Sequence, residues 1–404
     1  MAGHLIDALT SEPAYSEGLL DYYGIPGTIF TARMFYNKAL LERITGSART
    51  PETYAEFLEL CRRVLAFNAE EKAAGRPGDV LPIAGSKYNT PFIVYTLYSA
   101  VTQKLVQESL TGDTLMTNAD LTVMAYLNGQ WNWDSPAVQK GLATIRQIGK
   151  FMQPGFLQLG RDDALFYFAQ GRALMISTGS FDATSIRMQS PFAVGAFKLP
   201  IPAASDPEFT DYVMGPLSEA STGTGFVLGV VRDAPHTEIA VDFLRFLSSR
   251  MGSDIFSRVS NWLPATVGVE LSEPVKPFTP QTDGYPPGLR PTLENFPNSS
   301  RVYQNNFYRL VLPNGSLGDF TAAVQKDYEK ALIVDVAMRA RAIQRNAAIS
   351  DTVAAGFAFS YGRGGQGGHS PRVSELLEGQ NQNETTRALL DYFAQKFPGG
   401  EAAR

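Results

Sequence analysis

The stretch Phe166 to Phe181, FYFAQGRALMISTGSF, restricts the fold more than any other part of the chain. It reads as the end of a helix, a turn at Gly171, a short strand Ala173-Leu174-Met175-Ile176-Ser177, and a Gly179-Ser180-Phe181 step into the next helix. A short, mostly apolar run between glycines is the pattern of a strand buried on both faces. In open α/β sheets ligands gather at the carboxyl ends of strands, where small residues let the backbone approach and the next helix presents free N–H groups. Phe181 sits just past such an end. It either offers a flat apolar ring to a ligand or packs as core.

With 404 residues, 44% of them hydrophobic, the chain can bury a sizeable core and should form about two domains or lobes. A net charge of −5 gives no basic stripe, which disfavours nucleic acid and anionic membrane surfaces as partners. No apolar run reaches the roughly 18 residues needed to span a bilayer. Met1-Ala2-Gly3-His4 lacks the basic start and apolar core of a signal peptide, so none is expected in the chain. The single cysteine, Cys61, lies in a helical pattern and leaves the redox compartment open.

Strand and helix patterns alternate, so the class is α/β. Thr28 to Asn37 reads as a strand. Thr50-Pro51-Glu52-Thr53 reads as a helix start with Thr50 as cap, opening a helix whose core stripe is Tyr54, Phe57, Leu58, Cys61, Val64, Leu65 and Asn68. Strands are expected at Val80 to Ala84, Pro191 to Pro202 and Gly225 to Val231; helices at Pro91 to Leu110, Ala137 to Phe151, Thr237 to Ser249 and Leu317 to Ile349. Proline and glycine crowd Pro274 to Asn298, an irregular connection, and Gly362 to Gly368 reads as a flexible loop before a polar helical tail.

Most constellations that could carry chemistry fail. His4, His236 and His369 are far apart, which argues against a histidine metal site or triad, and no metal or cofactor is expected. Asp162-Asp163 is the solvated start of a helix rather than an acid/base pair. Thr222-Gly223-Thr224-Gly225 lacks the following Lys-Ser or Lys-Thr and precedes a strand, so it is no nucleotide loop. What remains is a set of aromatic residues in polar loops, with all three tryptophans beside asparagine in Trp131-Asn132-Trp133 and Asn261-Trp262. A sugar ring has an apolar C–H face and an edge of hydroxyls, so its site needs rings for stacking and amides or carboxylates for the edge.

Tyr23-Gly24-Ile25-Pro26, then Phe35-Tyr36-Asn37-Lys38, then Thr50-Pro51-Glu52-Thr53-Tyr54-Ala55-Glu56-Phe57 resemble, in that order, the extracellular solute-binding proteins of ABC sugar importers, the group that includes maltose-binding protein. Phe168-Ala169-Gln170-Gly171-Arg172-Ala173-Leu174-Met175 with Gly179-Ser180-Phe181 is similar to a further motif of that family, with Phe where Trp is usual; Leu199-Pro200 and Leu263-Pro264-Ala265 also fall in its order. The match covers roughly residues 20 to 270.

The resemblance implies a type-II periplasmic-binding-protein-like fold, two lobes with a hinge, the first lobe incomplete. Residues 1–23 would be the hinge segment and a remnant of lobe 1, 24–232 the second lobe, 233–300 helices returning to lobe 1 plus the irregular connection, 301–361 a C-terminal helical segment, and 362–404 the loop and tail. It implies a periplasmic or extracellular location, ABC permease subunits as partners, and an oligosaccharide or related polar solute held in an interlobe cleft. Phe181, Ser180, Trp262, Tyr303, Trp131, Trp133 and Tyr23 are the expected ligand-binding residues. A glycan-acting enzyme would instead need two carboxylates facing one pocket at about 5 to 9.5 Å, for which Asp134 and Asp182 lie beside the aromatic loops. A degenerate interaction protein would show no polar groups converging on a pocket. The helix Thr237 to Ser249 is expected to lack a sheet to cover, leaving the chain prone to self-association.

Overall fold

The computed structural model describes residues 15–16, 21–109, 118–220, 223–363 and 371–396. His4, His369 and most of the glycine-rich loop lie outside the described residues. The strands are β1 (Tyr15–Ser16), β2 (Asp21–Tyr22), β3 (Ile25–Ile29), β4 (Ala32–Asn37), β5 (Leu81–Ala84), β6 (Ala173–Gly179), β7 (Val194–Phe197), β8 (Thr224–Leu228) and β9 (Leu263–Pro264). They form a β1–β2 ribbon, a three-stranded sheet in the order β8-β3-β9, and a four-stranded sheet in the order β5-β6-β4-β7. The expected Thr28 to Asn37 strand is therefore two strands, broken at Phe30-Thr31, where the chain leaves one sheet for the other.

In the four-stranded sheet β6 runs parallel to β5 and antiparallel to β4, with Phe35 opposite Ile176 on one side of β4 and opposite Ala196 of β7 on the other. Every residue of β6 is buried, as its apolar sequence between glycines predicts. Met34 and Met175 face the larger core, while Phe35 and Ile176 face a second one, so helices cover both sides of this sheet.

The helices begin where local chemistry starts them. Asn37 ends β4 and caps α1 (Lys38–Thr45), its Oδ1 accepting from the Leu40 N–H at 3.0 Å. The cap of α2 (Tyr54–Ala73) is Thr53, not Thr50: Thr53 Oγ1 accepts from the Glu56 N–H while the Glu56 carboxylate accepts from the Thr53 N–H, a reciprocal capping box. Pro51 thus precedes the helix. The α2 stripe is buried as expected at Tyr54, Phe57, Leu58, Cys61 and Val64, while Leu65 faces solvent and Asn68 is half-buried, and burial raises the Cys61 thiol pKa.

Helices α3 (Thr90–Val101), α4 (Gln103–Ser109), α5 (Ala119–Leu127) and α6 (Pro136–Gly149) pack with the C-terminal α11 (Pro297–Val311) and α12 (Leu317–Arg363) around the larger core. Asp335 of α12 is fully buried and accepts from the Asn298 and Ser299 N–H groups at 3.0 and 2.7 Å, so a carboxylate on one helix caps the positive end of the other. α13 (Pro371–Lys396) runs back along α12.

Trp131, Trp133 and Tyr303, expected at a ligand cleft, belong to this core. Tyr303 stacks on Trp133 with ring centroids 6.0 Å apart, Phe320 and Tyr328 meet Trp133 edge-on at 6.1 and 5.1 Å, and Trp131 Nε1 donates to the Thr122 carbonyl at 2.9 Å. The helices that converge on this turn offer more apolar contact than water does, so the rings pack inward. Asn132 serves the turn: its Oδ1 accepts from the Asp134 N–H at 2.8 Å.

Further helices flank these layers: α7 (Arg161–Ala169) and α8 (Ala183–Gln189) beside β6, and α9 (Thr237–Leu247), followed by α10 (Arg250–Ser260), beside the smaller sheet. α9 contributes no buried residue. Ile239, Phe243 and Phe246 at i, i+4, i+7, and Met251, Ile255 and Val259 at i, i+4, i+8, form two exposed apolar stripes on this helix pair.

Trp133→Ala should cost about 3–5 kcal/mol in urea unfolding, the range for a buried aromatic; a loss under about 1 kcal/mol would return that ring to a cleft role. Asp335→Ala should cost about 1–3 kcal/mol by orphaning the α11 N–H groups. The exposed stripes exceed what scattered surface residues present, so the chain should self-associate with rising concentration in light scattering. Ile255→Glu with Val259→Glu should suppress that association at an unchanged melting midpoint; a monodisperse wild-type monomer would contradict it.

Candidate functional site

A cleft of about 470 Å³ opens where the two sheets face each other. The smaller sheet supplies Thr28 and Ile29 of β3, Gly225 of β8, and Trp262 just before β9; Phe30 stands at the crossing. The other wall is Ser180, Phe181 and Asp182 at the exit of β6, Arg161 at the start of α7, and Tyr88 and Phe92 around the start of α3. Two further cavities, of about 710 and 650 Å³, take no lining residue from β3, β8 or β9.

The exit of β6 is built as its sequence implies. A Cβ on Gly179 would come within 2.1 Å of the Phe181 ring, so only glycine lets that ring fold back across the strand end. Phe181 meets Phe30 edge-on at 5.4 Å, joining a ring from each side of the crossing. Ser180 lines the cleft but is occupied: its N–H donates to the Thr31 carbonyl at 2.8 Å and its Oγ accepts from the Thr31 N–H at 3.3 Å. It fastens the β6 exit to the crossing rather than facing a ligand.

Trp262 is half-buried against Phe226 and Phe256, at 6.0 and 6.3 Å, with part of its surface on the cleft. Tyr23 is 60% exposed and does not line the cleft, and Trp131, Trp133 and Tyr303 lie in the helical core. Of the expected residues, then, the cleft brings together Phe181, Trp262 and Ser180.

Sequence reasoning missed Arg161 as its partner group. Asp182 is 1% exposed; it receives Arg161 side-on through Nη2 and through Nε at 3.4 Å, and accepts from Thr178 Oγ1 at 2.5 Å. These residues are 21 apart in the chain, and no local spacing signals the pair. Hydrogen bonding to Asp182 raises the guanidinium pKa, so Arg161 stays a cation. Its guanidinium lies 5.9 Å from the Tyr88 ring centre, and burial together with the nearby Asp182 charge raises the Tyr88 hydroxyl pKa. Asp162 points to water and Asp163 caps the Gly160 N–H at 2.7 Å, the solvated helix start expected of them.

Asp182 is the one carboxylate among the described residues lining the cleft; Asp134 is at the Asn132 turn, away from it. No group of three or more histidine, cysteine or acidic side chains able to hold a metal occurs among the described residues, and no described helix is long and apolar enough to cross a membrane.

The architecture matches solved structures at low sequence identity. A chitin oligosaccharide binding protein aligns over 82% of this chain and 79% of its own at 17% identity, with a TM-score of 0.50. The solute-binding protein RafE in complex with raffinose aligns over 77% and 74% at 16% identity, TM-score 0.51. The GacH receptor of Streptomyces glaucescens GLA.O aligns over 82% and 79% at 16% identity, TM-score 0.50. No match was found among curated protein sequences. At the level of the family, residues 5–279 match the model of the bacterial extracellular solute-binding proteins, and the chain belongs to that family.

Proposed function

We propose that this protein is the substrate-binding component of an ABC importer and holds an oligosaccharide or related polyol between its two sheets. The observation that carries this reading is the placement of rings from both sheets, Phe181 and Trp262, on one cleft with polar groups between them. Such a site can stack the C–H face of a sugar and hydrogen-bond its edge. The family is extracellular, which supports action in the periplasm or outside the cell and delivery to permease subunits. Proteins of like fold include one solved with raffinose and one solved with acarbose. In this reading hinge closure buries the ligand with no bond made or broken. A glycan-acting enzyme fits the cleft less well, because Asp182, the one lining carboxylate among the described residues, is already engaged by Arg161 and Thr178.

Phe181→Ala should weaken binding of the recognised sugar at least several-fold in calorimetric titration, since an aromatic contact is worth about 0.5–1.5 kcal/mol beyond area. Its melting midpoint should change little, because the ring lines an open cleft. Phe57→Ala, fully buried on α2, should do the reverse and cost about 3–5 kcal/mol of stability. If Phe181→Ala destabilises as much as Phe57→Ala and leaves affinity intact, the ring is core and the reading fails.

A further inference from the structure

The chain passes between the smaller and the four-stranded sheet at Phe30-Thr31, and again on the way from β7 to β8 and from β9 to α11. These three crossings hold the cleft walls apart, with Thr28, Gly225 and Trp262 on one side and Ser180 and Phe181 on the other. The spacing of the walls is therefore set where the crossings meet. An apolar core spans the joint, with Ile29 of β3 and Leu263 of β9 in one cluster with Phe35, Ile176 and Phe278. Apolar packing is non-directional, so it keeps the sheets together without fixing their angle.

Direction comes from Arg33, which is 3% exposed and uses all five of its N–H groups on the three crossings. On the first crossing Nη1 donates to the Ala32 carbonyl at 2.7 Å. On the second, Nη1 and Nη2 hold the two carboxylate oxygens of Glu219 at 2.8 and 3.1 Å. On the third, Nε and Nη2 donate to the Pro277 and Thr279 carbonyls at 3.1 and 2.8 Å. Glu219 Oε2 also accepts from the Gln281 N–H at 2.8 Å, Thr31 Oγ1 donates to the Phe278 carbonyl at 2.7 Å, and the Phe30 N–H donates to the Gly223 carbonyl at 3.1 Å. Each crossing is thus bonded to both of the others. A planar guanidinium fixes angles as well as distances, which the point charge of a lysine does not. Neither Arg33 nor Glu219 lines the cleft.

We propose that Arg33, locked by Glu219, is a positioning residue for ligand capture: it sets the angle between the two sheets and so holds the Phe181 and Trp262 walls ready before a ligand arrives. The part that concerns a ligand rests on the solute-binding reading above. Without the guanidinium the crossings slip past one another, only a fraction of chains present the walls at the productive spacing, and apparent affinity falls by that fraction. The loss appears as slower association. A complex once formed keeps its contacts, so dissociation is unchanged. A side chain that touched the ligand would do the reverse, because lost contacts show mainly in dissociation.

Double electron–electron resonance on the full chain, without ligand, tests this. Spin labels on Lys72→Cys of α2 and Asp242→Cys of α9, both exposed, report across the joint; labels on Lys72→Cys and Gln170→Cys, both beside the four-stranded sheet, are the control. Cys61 is fully buried and takes no label. Dilution in excess unlabelled chain confines the signal to distances within one molecule. Glu219→Gln, which keeps the shape and removes the charge, and Arg33→Lys, which keeps the charge and removes the planar group, should each broaden the distribution across the joint and leave the control unchanged. Thr31→Val should do so to a lesser degree, and it decides the matter if the other two fail to fold. Stopped-flow mixing of Glu219→Gln with raffinose, well below its melting midpoint, should show association slowed about fivefold and dissociation unchanged. Distributions as narrow as the wild type's in Glu219→Gln and Thr31→Val would overturn the proposal. So would a lowered midpoint with unchanged association, which is what a purely structural pair gives, or equal broadening in the control. A wild type that does not bind raffinose, with the broadening across the joint still present, would count against the oligosaccharide reading and leave the role of Arg33 in setting the angle intact.

Discussion

Everything about the cleft depends on one covalent constraint: residues 25–37 run through the middle of both sheets. β3 is the central strand of one sheet and β4 an interior strand of the other, so the two cannot shift relative to each other without bending at Phe30-Thr31. That joint is tied down. Thr31 accepts from the Ser180 N–H at its carbonyl, donates its own N–H to Ser180 Oγ, and donates its hydroxyl to the Phe278 carbonyl at 2.7 Å. Arg33, 3% exposed, grips Glu219 with two nitrogens at 2.8 and 3.1 Å and donates to the Pro277, Ala32 and Thr279 carbonyls. A buried guanidinium is tolerated because every donor has an acceptor. The proline-rich connection is irregular in secondary structure yet anchored, because it supplies the carbonyls that satisfy Arg33 and Thr31.

The aromatic side chains divide by the company they keep. Around Trp133, rings from α5, α11 and α12 exclude water on all sides, and their worth is the stability of the helical layer. Around Phe181 the exit of β6, the Phe30 ring and the starts of α3 and α7 form the surroundings, and the ring is only half-buried. A ring there keeps one face open. In the proposed binding reading the same residue type serves packing in one place and recognition in the other, and the number of elements that converge on it decides which.

The C-terminal helices lie beyond the part of the chain that matches the family, which ends at residue 279, and they share the larger core with the helices preceding β6. The Asp335 cap on α11 and the Arg339–Asp120 ion pair at 3.1 Å, which joins α12 to α5, give this layer its orientation. In contrast, the outer face of α9 and α10 finds no cover among the described residues, and its apolar stripes remain at the surface.

Local chemistry in the sequence was enough to determine the α/β class, the buried strand β6, the Asn37 boundary, the α2 helix and the Gly179-Ser180-Phe181 step, because periodicity, caps and glycines act over a few residues. The order of short motifs also carried the family. What the sequence could not decide was where chain segments far apart in number meet. Trp131 and Trp133 sit beside asparagine and read as sugar platforms, but only the approach of α11 and α12 makes them core. Phe30 and Thr31 continue an unbroken strand pattern, and only competition between two sheets for the same chain splits it. Arg161 and Asp182 become a neutral pair because β6 and the start of α7 bring them together, and the hydroxyl of Thr28 is left unpartnered by packing against Gly225. Periodicity reports which face of an element is buried. It cannot report which distant element buries it, and in this protein that second fact separates the candidate cleft from the core.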